Sequence, residues 1–234
     1  MDMQRFFADQ PPPLRTPADL GACLQKMLDA GLDQLPMPGA GHTQQRWQQL
    51  AYVASQNLGL CKLYEGHTDA LATLHELAAN YPVQGRTWGL WAAEPPNARV
   101  HVQSVDGHVR LNGRKAWCSG AAVVSHGLLT AWNEQGAVQL VAVDLHQPGI
   151  CVAEQGWEAV GMSATASVEV TFEHARATCI GQPGDYLQRP GFWQGAIGIA
   201  ACWYGAANRL GDYLQQHCQQ RAEPHALAHL GAVN

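Results

Sequence analysis

The chain has 234 residues, 47% of them apolar, enough for a buried core and too many for wholesale disorder. Lys plus Arg number 14 against 19 Asp plus Glu, a net charge of -5, so no basic excess exists to neutralise a phosphate backbone and no nucleic-acid partner is expected. Only 14% of residues are charged, against about 25% in an ordinary domain, which leaves a neutral surface that a partner can cover.

The opening MDMQRFFADQPPP is polar and Pro-rich, and it lacks the charged-then-apolar form of a signal peptide. Thr16, Pro17, Asp19 and Leu20 then spell a helix start: a cap hydroxyl, a proline at the first position, an acidic first turn. Leu20, Cys23, Leu24, Met27 and Leu28 follow at helical spacing up to Gly31. Leu35–Gly41 is a loop. A second helix is expected from Thr43 to about Asn57, and a third over roughly Gly66–Ala79.

The period changes after Pro82. Val100 and Val102 alternate with His101 and Gln103, Asp106-Gly107 suits a hairpin tip, and Val109 and Leu111 continue the alternation beyond it. Further strands are expected at Gly127–Trp132, Ala137–Leu145, Ile150–Val152 and Ser167–Phe172. Strands at this spacing predict an antiparallel barrel or sandwich. From Gly191 the helical period returns and runs to about Gln220, ended by Pro224. The uncharged run Gly191–Ala207 carries Trp193, Gln194, Trp203 and Tyr204 among several glycines, so it reads as a buried helix and not as a membrane span. Gly195, Gly198 and Gly205 permit close packing on another helix; the first three helices can supply part of such a bundle and a second copy of the chain the rest, with the copy expected to cover the glycine face.

The fold class read from this order is α+β and multi-domain: an N-terminal helical domain (1–83), a central antiparallel β-barrel-like domain (84–180), and the first helix of an incomplete C-terminal helical bundle (185–234). Seven cysteines, none close enough to another for a paired-thiolate site, read as reduced thiols in a cytoplasmic protein. The histidines are scattered, so no metal site is expected. Ser125-His126 and Asp144-Leu145-His146 are pieces of a hydrolase triad without a nucleophile elbow.

The β region carries more information. Asn112-Gly113-Arg114-Lys115-Ala116-Trp117-Cys118-Ser119-Gly120 resembles a strand motif of the acyl-CoA dehydrogenase family. Trp88-Gly89-Leu90-Trp91-Ala92-Ala93-Glu94-Pro95 upstream, Gly161–Phe172 downstream, and Gly31-Leu32 with Leu35–Gly41 resemble three more of its motifs, in the family's order. The resemblance covers roughly residues 17–215. It implies FAD held between the β domain and a helical bundle, an acyl-CoA-like substrate on the flavin's other face, and a homodimer or homotetramer. It also implies cofactor contacts at Trp91, Ala93, Trp117 and Ser119, with Trp117 covering the ring and the Ser119 hydroxyl donating to its edge.

Departures from the family limit this reading. A threonine of the family is matched by Ala93 and an arginine by Ser163, so two polar contacts are missing. The bundle helices that carry the family's catalytic carboxylate are not in the sequence, so no catalytic residue is named. FAD binding is therefore expected to be weak or absent in this chain alone. Two alternatives stay open: a family member without flavin chemistry that binds a partner or ligand, and a structural subunit of a larger complex.

Overall fold

The computed structural model describes residues 2–9, 14–77, 80–105 and 108–233. A short helix, α1 (Met3–Ala8), occupies part of the polar leader where none was expected. Asp2 caps it by accepting from the Arg5 amide at 2.8 Å, and Phe6 anchors it in the core. Helix α2 (Pro17–Asp29) starts on a full capping box, with the Asp19 amide donating to Thr16 Oγ1 and the Thr16 amide to Asp19 Oδ2.

Helices α3 (Thr43–Gln56) and α4 (Leu58–Glu76) meet at Asn57, which closes the first and caps the second by accepting from the Leu60 amide at 2.8 Å. One residue serves both ends, so α4 starts well before the expected Gly66; Ala79 lies outside the described residues. The buried His67 of α4 docks the barrel, because its Nδ1 accepts from the Trp88 amide at 3.2 Å.

Among the described residues the strands are β1 (Trp88–Trp91), β2 (Val100–Val105), β3 (His108–Cys118), β4 (His126–Trp132), β5 (Val138–Asp144), β6 (Ile150–Val152) and β7 (Val168–Ile180). The ring β4–β2–β3–β7–β5–β4 closes a barrel, with β1 added to β4 and β6 to β7. Most pairings are antiparallel as expected, but β1 and β2 both run parallel to β4. Val100 and Val102 point inward while His101 and Gln103 point out. Asp106 and Gly107 lie outside the described residues; Val105 and His108 on either side pair antiparallel. Apolar side chains from α2, α3, α4 and the barrel interior, such as Leu24, Leu50, Leu60 and Leu129, share one core.

A short helix, α5 (Asp185–Gln188), leads into α6 (Phe192–Gln220). Between them the buried Arg189 reaches Glu76 at 2.8 Å and Asp69 at 3.4 Å, fixing the start of α6 on α4. The glycine face of α6 is covered by α3 of the same chain, not by a second copy. Contact is so close that a Cβ on Gly205 would overlap the Ala51 carbonyl. The opposite face leaves Trp193, Ile197, Trp203 and Tyr204 exposed. Pro224 ends the expected helix but opens another, α7 (Pro224–Val233), at a position where its missing N–H is no loss. Among the described residues no helix is long and apolar enough to cross a membrane.

Candidate cofactor site

Strand β3 changes register near its end. Lys115 pairs with Val170 and Cys118 with Val168, so three steps of β3 oppose two of β7. This bulge turns both Lys115 and Cys118 into the barrel, where each is fully buried. Of the two residues between them, Trp117 is thrown outward. Trp117 takes a left-handed φ of 58°, a strained state for a bulky side chain that costs about 1–3 kcal/mol. Its indole is 57% exposed. A flat aromatic face is thus presented at a barrel end, on backbone that would relax elsewhere if it were free to.

Directly after the bulge a chain of hydroxyls begins. Thr165 Oγ1 donates to the Met162 carbonyl at 2.8 Å, so it must accept from Ser167 at 2.9 Å. Ser167, its proton already donated, accepts from Ser119 at 2.7 Å. Every proton of the chain is committed, and Ser119 faces outward with acceptor capacity only. The sequence reading made it a donor to a flavin edge; in this arrangement its proton goes to Ser167. Ser163, in the same turn, is exposed.

Of the other two named residues, Trp91 is buried. Its indole lies over the paired Gly89 and Gly127, where a Cβ on either would come within 2.5 Å of the ring, and its Nε1 donates to the Ser119 carbonyl at 3.2 Å. Trp91 and Ser119 are therefore joined, while Trp117 stands apart on the surface. Ala93 is half-buried just beyond β1.

Next to Ala93, Glu94 turns back toward the barrel. Its carboxylate accepts from Lys115 Nζ at 2.5 Å, from the Thr130 hydroxyl at 2.5 Å and from Trp132 Nε1 at 2.9 Å. Lys115 also donates to the Thr130 carbonyl at 2.8 Å. Burial raises the Glu94 carboxyl, but these hydrogen bonds outweigh it and leave the pKa below the ordinary carboxylate range. Burial likewise pulls the Lys115 amine below its usual range, against the pull of Glu94. On sequence alone Glu94 reads as a solvated or turn-capping carboxylate. Its partners come from two strands, β3 and β4, and no local spacing announces them.

A cavity of about 230 Å³ lies nearby between α4 and α6. Leu58, Met162, Ile199 and Trp203 give it apolar walls, and Lys62 and Glu65 give it an ion pair at 2.8 Å. The Glu65 carboxylate holds the Lys62 amine above its ordinary range. Cys61 and Cys202 also line it; the Cys61 thiol donates to the Leu50 carbonyl at 3.6 Å, and the neighbouring Cys202 together with burial pushes it far up. Met162 joins this cavity to the turn that carries the hydroxyl chain. The sequence gives no pattern for Lys62 and Glu65, because their meeting with α6 is a long-range contact.

No protein-family model matches the chain. A curated relative, the amino sugar nitrososynthase DnmZ of Streptomyces peucetius, is 37% identical over 78 residues, which cover 32% of this chain and 19% of that protein. Among solved structures, KijD3 in complex with FMN and dTDP-3-amino-2,3,6-trideoxy-4-keto-3-methyl-D-glucose superposes with a TM-score of 0.73 at 17% identity, over 91% of this chain and 61% of that one. Methanesulfinate monooxygenase MsuC from Pseudomonas fluorescens gives 0.70 at 21% identity, over 95% and 70%. PigA with FAD and proline gives 0.69 at 18% identity, over 87% and 61%.

These likenesses show the fold, one shared with structures solved with FMN and with FAD. The chain spans about three fifths of the length of the first of these structures. They also correct one expectation. The small molecules named with the similar structures are a dTDP-sugar, indole and proline, and none is an acyl thioester, so the acyl-CoA-like partner is withdrawn.

Proposed function

We propose that this chain is the flavin-contacting part of an oxidoreductase that acts on a small molecule. The observation that carries the reading is Trp117, a strained and exposed aromatic face at the end of a closed barrel, beside the half-exposed Ser119. Strain at an exposed position is kept where it serves a ligand. A flavin, when bound, supplies hydride and oxygen chemistry that side chains lack. The residues present fit such a ring: Trp117 offers a stacking face, Ser119 an acceptor for a ring N–H, and the backbone around Ala93 the remaining edge. Lys62 and Glu65 are the charged pair lining the α4–α6 cavity, and they serve as its anchor and proton-transfer groups. FAD and FMN both accord with the relatives' complexes. The exposed face of α6 is the surface that a homodimer or homotetramer would bury.

A second reading, a binding subunit without flavin chemistry, is favoured by the committed Ser119 proton and by the missing polar groups at Ala93 and Ser163. Titration with FMN and with FAD, followed by the flavin's visible absorption, separates the two. Binding at a dissociation constant of about 1 μM or tighter, lost in Trp117→Ala, supports the flavin reading. No binding of either flavin favours the second.

A further inference from the structure

The barrel interior holds a charge pair that a core does not need. Lys115 is fully buried and Glu94 is 24% exposed at its side chain. An apolar pair of the same volume packs such a site equally well or better, so a buried ion pair is weak evidence for stability and better evidence for a fixed register. The register at stake here is that of β3.

Lys115 and Cys118 flank the bulge, and both point inward. In an unbulged strand, residues three apart face opposite sides. A slip of one residue on the Lys115 side, with Cys118 kept in place, would erase the bulge, release Trp117 from its left-handed φ and turn Lys115 out of the barrel. Nothing about Trp117 itself opposes that slip. What opposes it is the fixed position of Lys115 Nζ, held by Glu94 Oε1, the Thr130 carbonyl and the Thr130 hydroxyl. Glu94 is in turn fixed by Trp132 Nε1, whose ring is stacked under Arg99 at 4.7 Å. A Leu or Met at 115 could shift along the barrel at little cost. An ammonium with these partners cannot shift without leaving a buried charge bare.

We propose that the Lys115–Glu94 pair is a register lock that holds Trp117 in its strained conformation, making Lys115 and Glu94 positioning residues for the face that the flavin reading assigns to Trp117. The lock also ties the two proposed cofactor-contacting stretches together, because Glu94 follows Ala93 and Lys115 precedes Trp117 by two residues. The use of that face rests on the flavin reading; the lock itself does not.

The test is a double-mutant cycle on thermal stability, without any ligand. Trp117→Gly in the native background should raise the Tm by about 2–4 °C, because glycine adopts positive φ freely. The Glu94→Gln/Lys115→Met variant removes both charges together, so neither is left buried and unpaired. In that background the strand relaxes, and Trp117→Gly should lose its benefit. Equal gains in both backgrounds would overturn the lock. Should that variant fail to fold, Thr130→Val, which removes one partner of each ion, replaces it, and the gain should shrink by at least half; an undiminished gain again overturns the proposal. Titration with FMN and FAD supplies the separate readout. If the native chain binds flavin, the charge-free variant should bind at least tenfold more weakly while remaining folded. If the native chain binds neither, the flavin reading fails and the cycle still decides the lock.

Discussion

Two regions of this molecule expose large aromatic side chains, and they do so for different reasons. At the barrel end, Trp117 stands out because its backbone is held in a strained state by buried neighbours on both sides. On α6, Trp193 and Tyr204 stand out because the helix is regular and α3 has taken its glycine face. The first exposure is specified by tertiary contacts and is costly to maintain. The second costs no backbone strain. Exposure alone therefore does not distinguish the two regions; the backbone conformation that produces it does.

The comparison predicts a steep fall in mutational effect from one region to the other. Glu94→Ala leaves Lys115 buried without its anion and should destabilise the chain by about 3–5 kcal/mol in urea unfolding. A loss under about 1 kcal/mol would mean that the barrel end is as loosely specified as the α6 face. Gly205→Val drives a side chain into the Ala51 carbonyl and should cost about 1–3 kcal/mol, read in the same way. Should it prove neutral, the inner face of α6 is not seated on α3 as described.

Smaller effects sharpen the contrast. Ser119→Ala should weaken flavin binding by about 0.5–1.5 kcal/mol, the worth of one hydrogen bond, and unchanged affinity would remove Ser119 from the site. Of the two regions, acid should act on the barrel end. The Glu94 pKa lies below its ordinary value of 4.5, so its stabilisation is present above that pH and is lost as pH falls through the depressed folded value. Glu94→Gln should accordingly flatten the acid limb of a stability-against-pH curve, and an unaltered limb would deny the carboxylate that role. Tyr204→Ser, on the outer face of α6, should change the stability of the isolated chain by less than about 0.5 kcal/mol. A larger loss would show that this face is already packed.

Much of the fold was legible from local chemistry. The Thr16–Asp19 box, the alternation around Val100–Gln103 and the glycine spacing of α6 each act within a few residues, so the sequence states them directly. The resemblance placed Trp117 and Ser119 in one motif, and the fold shared with flavin-bound structures accords with the architecture it implied. The reading failed where one residue serves two elements or where the partner is far along the chain. Asn57 ends one helix and caps the next, so the start of α4 was misplaced. The cover of the α6 glycine face was assigned to a second copy, because no spacing tells that α3 lies across it.

The site divides along the same line. The sequence by itself determined a helical, then β, then helical order and the residue types at the barrel end. Only the tertiary structure decided what those residues do: that Trp91 is buried over Gly89 and Gly127, that the Ser119 proton is already donated, and that Glu94 and Lys115 meet inside the barrel. The physical reason is that periodicity reports which face of an element is apolar, whereas hydrogen-bond direction, ion pairing and backbone strain depend on atoms brought together from distant parts of the chain.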